Sequence, residues 1–352
     1  MMWKILMTTL YIIGNMRRYT LHTRMMQVLV MVAMCLTACS REEIKTGPFD
    51  ILFSTRMQNA VTVSRADTYQ DLRNHFSKTE IGIYVASEDN TIAESRKVGY
   101  NSGTYTSALK LENGTYRCYG YMPSDVYPNA NLDFATNTLT ISDVPAVSTT
   151  PLTAALPEEF TIYNAPEKIN LQMNQLMGKV TLRFLLPSPY ADLRQIEITN
   201  VRVTTPGDTS NCTATVEYDD AGFSTQWISV DGAEQAYSTV KYTGVQQSIG
   251  YPSQKALRLT TTAQEYGACY LVPGTEAILQ LEVTYNVYDM TGSETRHERK
   301  AVNSSVRVVK RGTPNLYTIE QGNNYVLNIT VLPSYLYALS DFDHNNPHIK
   351  LD

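Results

Sequence analysis

Leu279-Gln280-Leu281-Glu282-Val283-Thr284-Tyr285-Asn286-Val287 sets an apolar side chain at every second position and a polar one between. A period of two is what a strand with one buried face requires, because successive side chains leave an extended backbone on opposite sides. The same alternation recurs along the chain. Phe49, Ile51 and Phe53 alternate with Asp50, Leu52 and Ser54; Val180, Leu182 and Phe184 alternate with Lys179, Thr181 and Arg183. Tyr325, Leu327, Ile329 and Val331 repeat it near the end. Shorter strands are expected at Ile81–Val85, Tyr116–Tyr121, Leu139–Ile141, Leu257–Leu259 and Val306–Val309. Between Ile196/Ile198 and Val201/Val203 the apolar phase slips by one residue. A β-bulge at Thr199-Asn200 would produce that slip, and so would a strand break.

Glu112-Asn113-Gly114, Pro206-Gly207-Asp208 and Val272-Pro273-Gly274 read as turns between these runs. The 24 tyrosines and many threonines favour strands over helices. The best helical candidate is short, Tyr69–Phe76, with Leu72 and Phe76 four apart. Many short strands separated by turns argue for an all-β chain of sandwiches or barrels rather than an α/β fold. Pro187-Ser188-Pro189 excludes a central strand, and it lies between two strong strand patterns. It is the expected domain boundary, giving one β-sandwich over 45–187 and a second over 190–332, followed by a tail at 333–352.

The N-terminus carries an address. Arg17, Arg18 and Arg24 precede Met25–Ala38, an apolar run interrupted only by Gln27 and Thr37, and it closes on Leu36-Thr37-Ala38-Cys39. A basic flank, a short apolar core and small residues before a cysteine make a bacterial lipoprotein signal peptide. A spanning helix, the alternative, needs about 20 apolar residues, more than this run supplies. Residues 1–38 are therefore read as a signal peptide, with Met16, Met25 or Met26 as alternative starts, and Cys39 as the lipidated first residue of a tether over 39–48.

Removing residues 1–38 takes away Lys4, Arg17, Arg18 and Arg24 and no acid, so 25 basic residues face 34 acidic ones, a net charge near −9. That balance argues against a nucleic-acid partner, which demands clustered positive charge. Once Cys39 is acylated, Cys118, Cys212 and Cys269 cannot all pair. Buried free thiols are expected, with a single bridge as the alternative. No phosphate loop, nucleophile elbow, paired-histidine zinc motif or calcium loop occurs, so no catalytic residue, metal site or cofactor is assigned. Asp341–His348 holds oxygen and nitrogen donors but reads as a solvated tail, and Glu158-Glu159 as charge on a loop.

Ser40-Arg41-Glu42-Glu43 follows the lipid site and resembles the export signal of Bacteroidetes lipoproteins displayed on the outer face of the outer membrane. Arg56 ends the first strand pattern, and Arg65 lies in Thr62-Val63-Ser64-Arg65-Ala66-Asp67, a small polar stretch that a protease can reach. With these landmarks the chain resembles the Bacteroidales fimbrillin family, the type V pilus subunits and their relatives. The residues that carry the resemblance run in order: Phe49–Phe53, Ser64–Ala66, Phe76–Val85, Gly114–Pro123, Ile169–Val180, Tyr270–Gly274 and Gly322–Val331. Gln175 stands where the family commonly has His, and is read as structural.

The resemblance implies two stacked transthyretin-like β-sandwiches and a structural or accessory role in surface fimbriae that supports adhesion. It also implies an Arg-specific protease as partner, cutting at Arg65 (or at Arg56) to release the lipidated segment with the strand of Phe49, Ile51 and Phe53. The vacated place would take an extended strand from another fimbrial subunit by β-augmentation. The tail Leu332–Asp352, with Leu336, Leu339 and Ile349, is the candidate donor, although Pro333 and Pro347 would interrupt a paired strand. The remaining partners are the outer membrane, through the Cys39 lipid, and host or bacterial surface ligands. A second reading is an outer-membrane lipoprotein that binds glycans through exposed aromatics at Trp227, Tyr116, Tyr119 and Tyr121.

Overall fold

The computed structural model describes residues 47–57 and 79–331, except 92, 102–103, 165–166, 192–193, 206–208, 221, 232–236, 275–277, 290–297 and 308–317. The chain divides into two units, residues 1–47 and 48–352, and the described elements all belong to the second. Strands come first and throughout: β1 (Phe49–Met57), β2 (Ile81–Ser87), β3 (Ala93–Asn101), β4 (Thr104–Leu111), β5 (Gly114–Met122), β6 (Ala130–Asp133), β7 (Thr138–Pro145), β8 (Val147–Ser148), β9 (Thr153–Ala155), β10 (Glu158–Ile162), β11 (Glu167–Gln175) and β12 (Gly178–Leu185). One helical turn, α1 (Ser188–Ala191), precedes β13 (Arg194–Thr204), β14 (Thr209–Asp219), β15 (Gly222–Asp231), β16 (Tyr237–Val240), β17 (Leu257–Arg258), β18 (Gln264–Leu271), β19 (Ile278–Asp289), β20 (Glu298–Arg307) and β21 (Asn324–Thr330). The fold is all-β, a set of packed sheets.

The first sheet runs β10-β5-β2-β3-β4-β1-β11-β9, and β9 also pairs with β5, so the sheet curls round until its ends meet. Its interior holds Ile51 and Phe53, Ile81, Ile83 and Val85, Cys118, Leu171 and Met173. The outer face of the same sheet is buried too. Tyr84, Tyr119 and Tyr121 pack there against Leu139, Ile141, Ala214 and Val216 of a second sheet, β15-β14-β7-β6. Strands β2 and β5 therefore lie between two cores, which is why Ile81–Val85 is apolar on both faces. A third core fills the space between β21-β12-β18-β8 and β16-β13-β19-β20, with Val180, Leu182 and Phe184 facing Ile196, Ile198, Leu279, Leu281 and Tyr285.

The slip in apolar phase is a bulge: the β13–β19 register shifts between Ile198 and Asn200. Pro187-Ser188-Pro189, in contrast, does not separate the cores. Strand β12 precedes it yet pairs with β18 and β21, and β7 from the first half pairs with β14 from the second. Apolar content on either side of two prolines says nothing about which distant strands will hydrogen-bond, so the expected limits 45–187 and 190–332 cut across the third core. The polar side of β19 also departs from expectation, because Thr284 and Asn286 are buried. Ser248, Ile249 and Gly250 meet that side at Tyr288, whose Oη accepts from Gly250 N at 3.1 Å, and at the fully buried Glu197, which accepts from Ser248 Oγ at 2.9 Å, Ile249 N at 3.1 Å and Arg258 Nη2 at 3.3 Å.

Cys118, Cys212 and Cys269 are free and buried. Burial pushes all three thiols up, Cys269 to about 12. The helical candidate Tyr69–Phe76 lies outside the described residues.

Candidate functional site

Strand β1 lies inside its sheet rather than at an edge. On one side it pairs antiparallel with β4, Phe49 opposite Leu111 and Phe53 opposite Tyr105, with a register shift between Asp50 and Leu52. On the other it pairs parallel with β11, from Ile51 opposite Glu167 to Met57 opposite Met173. Parallel neighbours need a crossover, and here all of β2 to β10 intervenes in sequence. The N-terminal strand is thus a wedge between two strands that do not pair with each other.

The alternation read from the sequence sets the faces of β1. Phe49, Ile51 and Phe53 are buried in the first core, and Leu52 on the opposite side is 41% exposed. Burying three such side chains stabilises the fold by about 1.5–3 kcal/mol each on the area scale. The polar contacts are lesser. Asp50 meets Lys110 at 3.5 Å with both side chains mostly exposed, a pair worth little in water, and Ser54 Oγ donates to Ile169 O at 3.4 Å and also contacts Asn170 Oδ1. Withdrawing β1 would open an apolar groove and leave unpaired N–H and C=O groups along both β4 and β11, the condition under which an extended segment binds a sheet.

Phe49, Ile51 and Phe53 therefore stand together as expected. Arg56 falls within β1, its backbone in register with Gln172. Arg65, Cys39, Ser40, Arg41, Glu42, Glu43 and the tail 332–352 lie outside the described residues. The groove walls were not identified from sequence, although Ile169, Leu171 and Met173 alternate as β1 does. Gln175 is buried and donates from Nε2 to the Met177 carbonyl at 2.6 Å, a structural contact.

The proposed glycan platform is overturned at its tyrosines. Tyr116, Tyr119 and Tyr121 are no more than 5% exposed, Tyr116 against Phe160 in the first core and the other two against the second sheet. An open cleft of about 390 Å³ lies beside Tyr119, lined also by Arg117, Asn137, Glu159, Asp219 and Asp220 among others. In it Tyr119 Oη donates to Asn137 Oδ1 at 2.8 Å, and Arg117 sits 3.9 Å from Glu159. No nucleophile and base pair is assembled in that cleft.

No family model matches the chain, and no curated protein matches it. Among solved structures it is similar to a fimbrial protein from Bacteroides vulgatus, at 10% identity and a TM-score of 0.44, over 80% of this chain and 95% of that one. It is similar to a candidate cell adhesion protein from Bacteroides fragilis at 10% identity and a TM-score of 0.43, over 82% of this chain and 94% of the other. A third, from Bacteroides thetaiotaomicron and named for polysaccharide binding, gives 8% identity and a TM-score of 0.32, over 71% and 78%.

Proposed function

We propose that the chain is a fimbrillin-like subunit of cell-surface fimbriae, structural or accessory, that reaches the outer membrane as a lipoprotein through Cys39 and supports adhesion. The observation that carries this reading is the place of β1, clamped between β4 and β11 with Phe49, Ile51 and Phe53 in the core. An N-terminal strand so placed can be removed by one cut downstream of Met57 and replaced by a strand from another subunit. Arg65 is the cut assigned here, since cleavage at Arg56 would leave part of β1 behind. Ser40-Arg41-Glu42-Glu43 serves as the export signal, an Arg-specific protease as the maturing partner, and no reaction is catalysed. The glycan reading loses its tyrosines to the core and has no observation of its own.

The test is N-terminal sequencing of surface material from cells producing the full chain. The expected mature terminus is Ala66, absent in the Arg65→Ala variant, while Cys39→Ala loses membrane attachment and stays uncut. A terminus at Met57, or unchanged processing of Arg65→Ala, would overturn the assignment.

A further inference from the structure

Strand β1 is held unequally along its length. On the β11 side the parallel ladder runs unbroken from Ile51 to Met57. On the β4 side it comes in two short pieces, Phe49 and Asp50 opposite Leu111 and Lys110, then Leu52 and Phe53 opposite Thr106 and Tyr105. Between these pieces β4 bonds to itself, Leu109 N donating to Ser107 Oγ at 2.7 Å. Strand β4 also stops short. It closes a hairpin with β3 in which Asn101 lies opposite Thr104, so the chain turns back just where Ser54 begins. Among the described residues Ser54–Met57 is therefore paired with β11 alone, whereas Leu52 and Phe53 are paired on both sides.

The apolar anchors are gathered away from that end. Phe49, Ile51 and Phe53 are buried, and Ser54 and Thr55 are half-buried. Strand β11 is braced on its far side by β9, from Met173 to Gln175, so it keeps its place when the end of β1 lifts. A strand end with one neighbour gives way before a segment with two. The N–H and C=O groups it leaves on Asn170–Met173 are then a template for another extended chain.

We propose that a cut downstream of Met57 does not by itself free the subunit, and that β1 leaves only when an incoming strand displaces it from the Met57 end. The proposal rests on the reading of β1 as the strand that is cut loose and replaced. Cutting severs one covalent link and touches neither ladder nor core, so β1 stays seated and keeps the Cys39 end bound to the body of the protein. The displacing segment is extended and runs parallel to β11, as β1 does, so its C-terminal end pairs first, with Asn170–Met173. It then advances toward Phe49 and supplies apolar side chains at the positions that Phe53, Ile51 and Phe49 give up in that order. The cut arms the subunit, and the incoming strand releases it.

The test uses the full chain with a site-specific protease sequence inserted after Arg65, so that the cut does not depend on which arginine cells use. After cutting, the fragment that carries β1 is expected to co-elute with the rest of the chain in size-exclusion chromatography. Synthetic Ile51–Met57, added in excess, should speed its departure about tenfold more than Phe49–Thr55, a peptide of equal length that keeps all three apolar anchors but lacks the end that pairs first. A fragment that separates as soon as the chain is cut would overturn the proposal. So would release that neither peptide accelerates, or release that Phe49–Thr55 drives as fast as Ile51–Met57. A mature terminus other than Ala66 on cells would overturn the assignment of Arg65 and leave these rates unchanged, so the two failures are distinct.

Discussion

Phe53 of β1 stands in register with Ile169 of β11, and both side chains are buried in the first core. The pair joins the first described strand to one encoded far downstream, so the stability of the whole curled sheet should register there. Phe53→Ala is expected to destabilise the protein by about 3–5 kcal/mol, the range for removing a buried aromatic side chain. Leu52→Ala, on the 41% exposed side of the same strand, should lose well under half as much. Urea unfolding followed by far-UV circular dichroism measures both, and equal losses would mean that the faces of β1 are misassigned.

Arg56 should resist an Arg-specific protease in the folded protein. Its backbone is paired with Gln172, and a protease needs an extended, unpaired substrate. Limited digestion with mass spectrometry is expected to yield no fragment beginning at Met57 until denaturant is added. Early appearance of that fragment would show that the end of β1 opens locally.

Arg258→Ala should be more damaging than its exposure suggests. The Arg258 side chain is 40% exposed, but the Glu197 carboxyl it serves is not exposed at all. Removing the guanidinium leaves a buried charge without a counter-charge, a loss of about 2 kcal/mol once solvent access to the arginine is allowed for. Glu197→Gln keeps an acceptor for Ser248 and Ile249 and should recover part of that loss when combined with Arg258→Ala. Strictly additive losses in a double-mutant cycle would contradict this coupling.

Alkaline pH should weaken the fold through its thiols. Burial raises Cys118, Cys212 and Cys269 above the ordinary value of 9.0, Cys269 to about 12. Above the ordinary value the unfolded chain loses these protons and the folded chain keeps them. Stability is therefore full below about pH 9 and falls as pH rises toward the folded values, with a slope of about 1.4 kcal/mol per pH unit for each shifted group. The urea midpoint should drop between pH 8 and pH 11, and Cys269→Ala should flatten that drop. Alkylation of the native protein at pH 8 should leave Cys118 and Cys269 unmodified until denaturant is added.

The strands were legible because side-chain period is a local property: Leu279, Leu281, Tyr285 and Val287 alternate in sequence and are buried in the structure. The Thr199 bulge was legible for the same reason, as a break in phase. The interior positions of Tyr119 and Tyr121 were not. A one-face rule treats the second face of a strand as solvent, and β5 has a core on each side. Asn286 was misjudged likewise: it donates to Tyr288 Oη, and the Ser248–Gly250 stretch that meets Tyr288 on that side has no period to read. At the candidate site, Phe49, Ile51 and Phe53 could be placed from sequence, but their walls could not, because pairing across β2 to β10 leaves no local trace.

The pairing of β7 with β14 bears on how the chain is made. A polypeptide emerging from the ribosome or a translocon presents Thr138–Pro145 long before Thr209–Asp219. Until the later segment arrives, β7 has a bare edge and the tyrosines of β5 lie under an unfinished sheet, so the first half cannot reach its final form by itself. Vectorial synthesis therefore stops short of a completed N-terminal domain, and the nascent chain depends on contacts of high sequence separation, which form slowly and expose apolar surface while they wait. Folding here is a joint event of both halves.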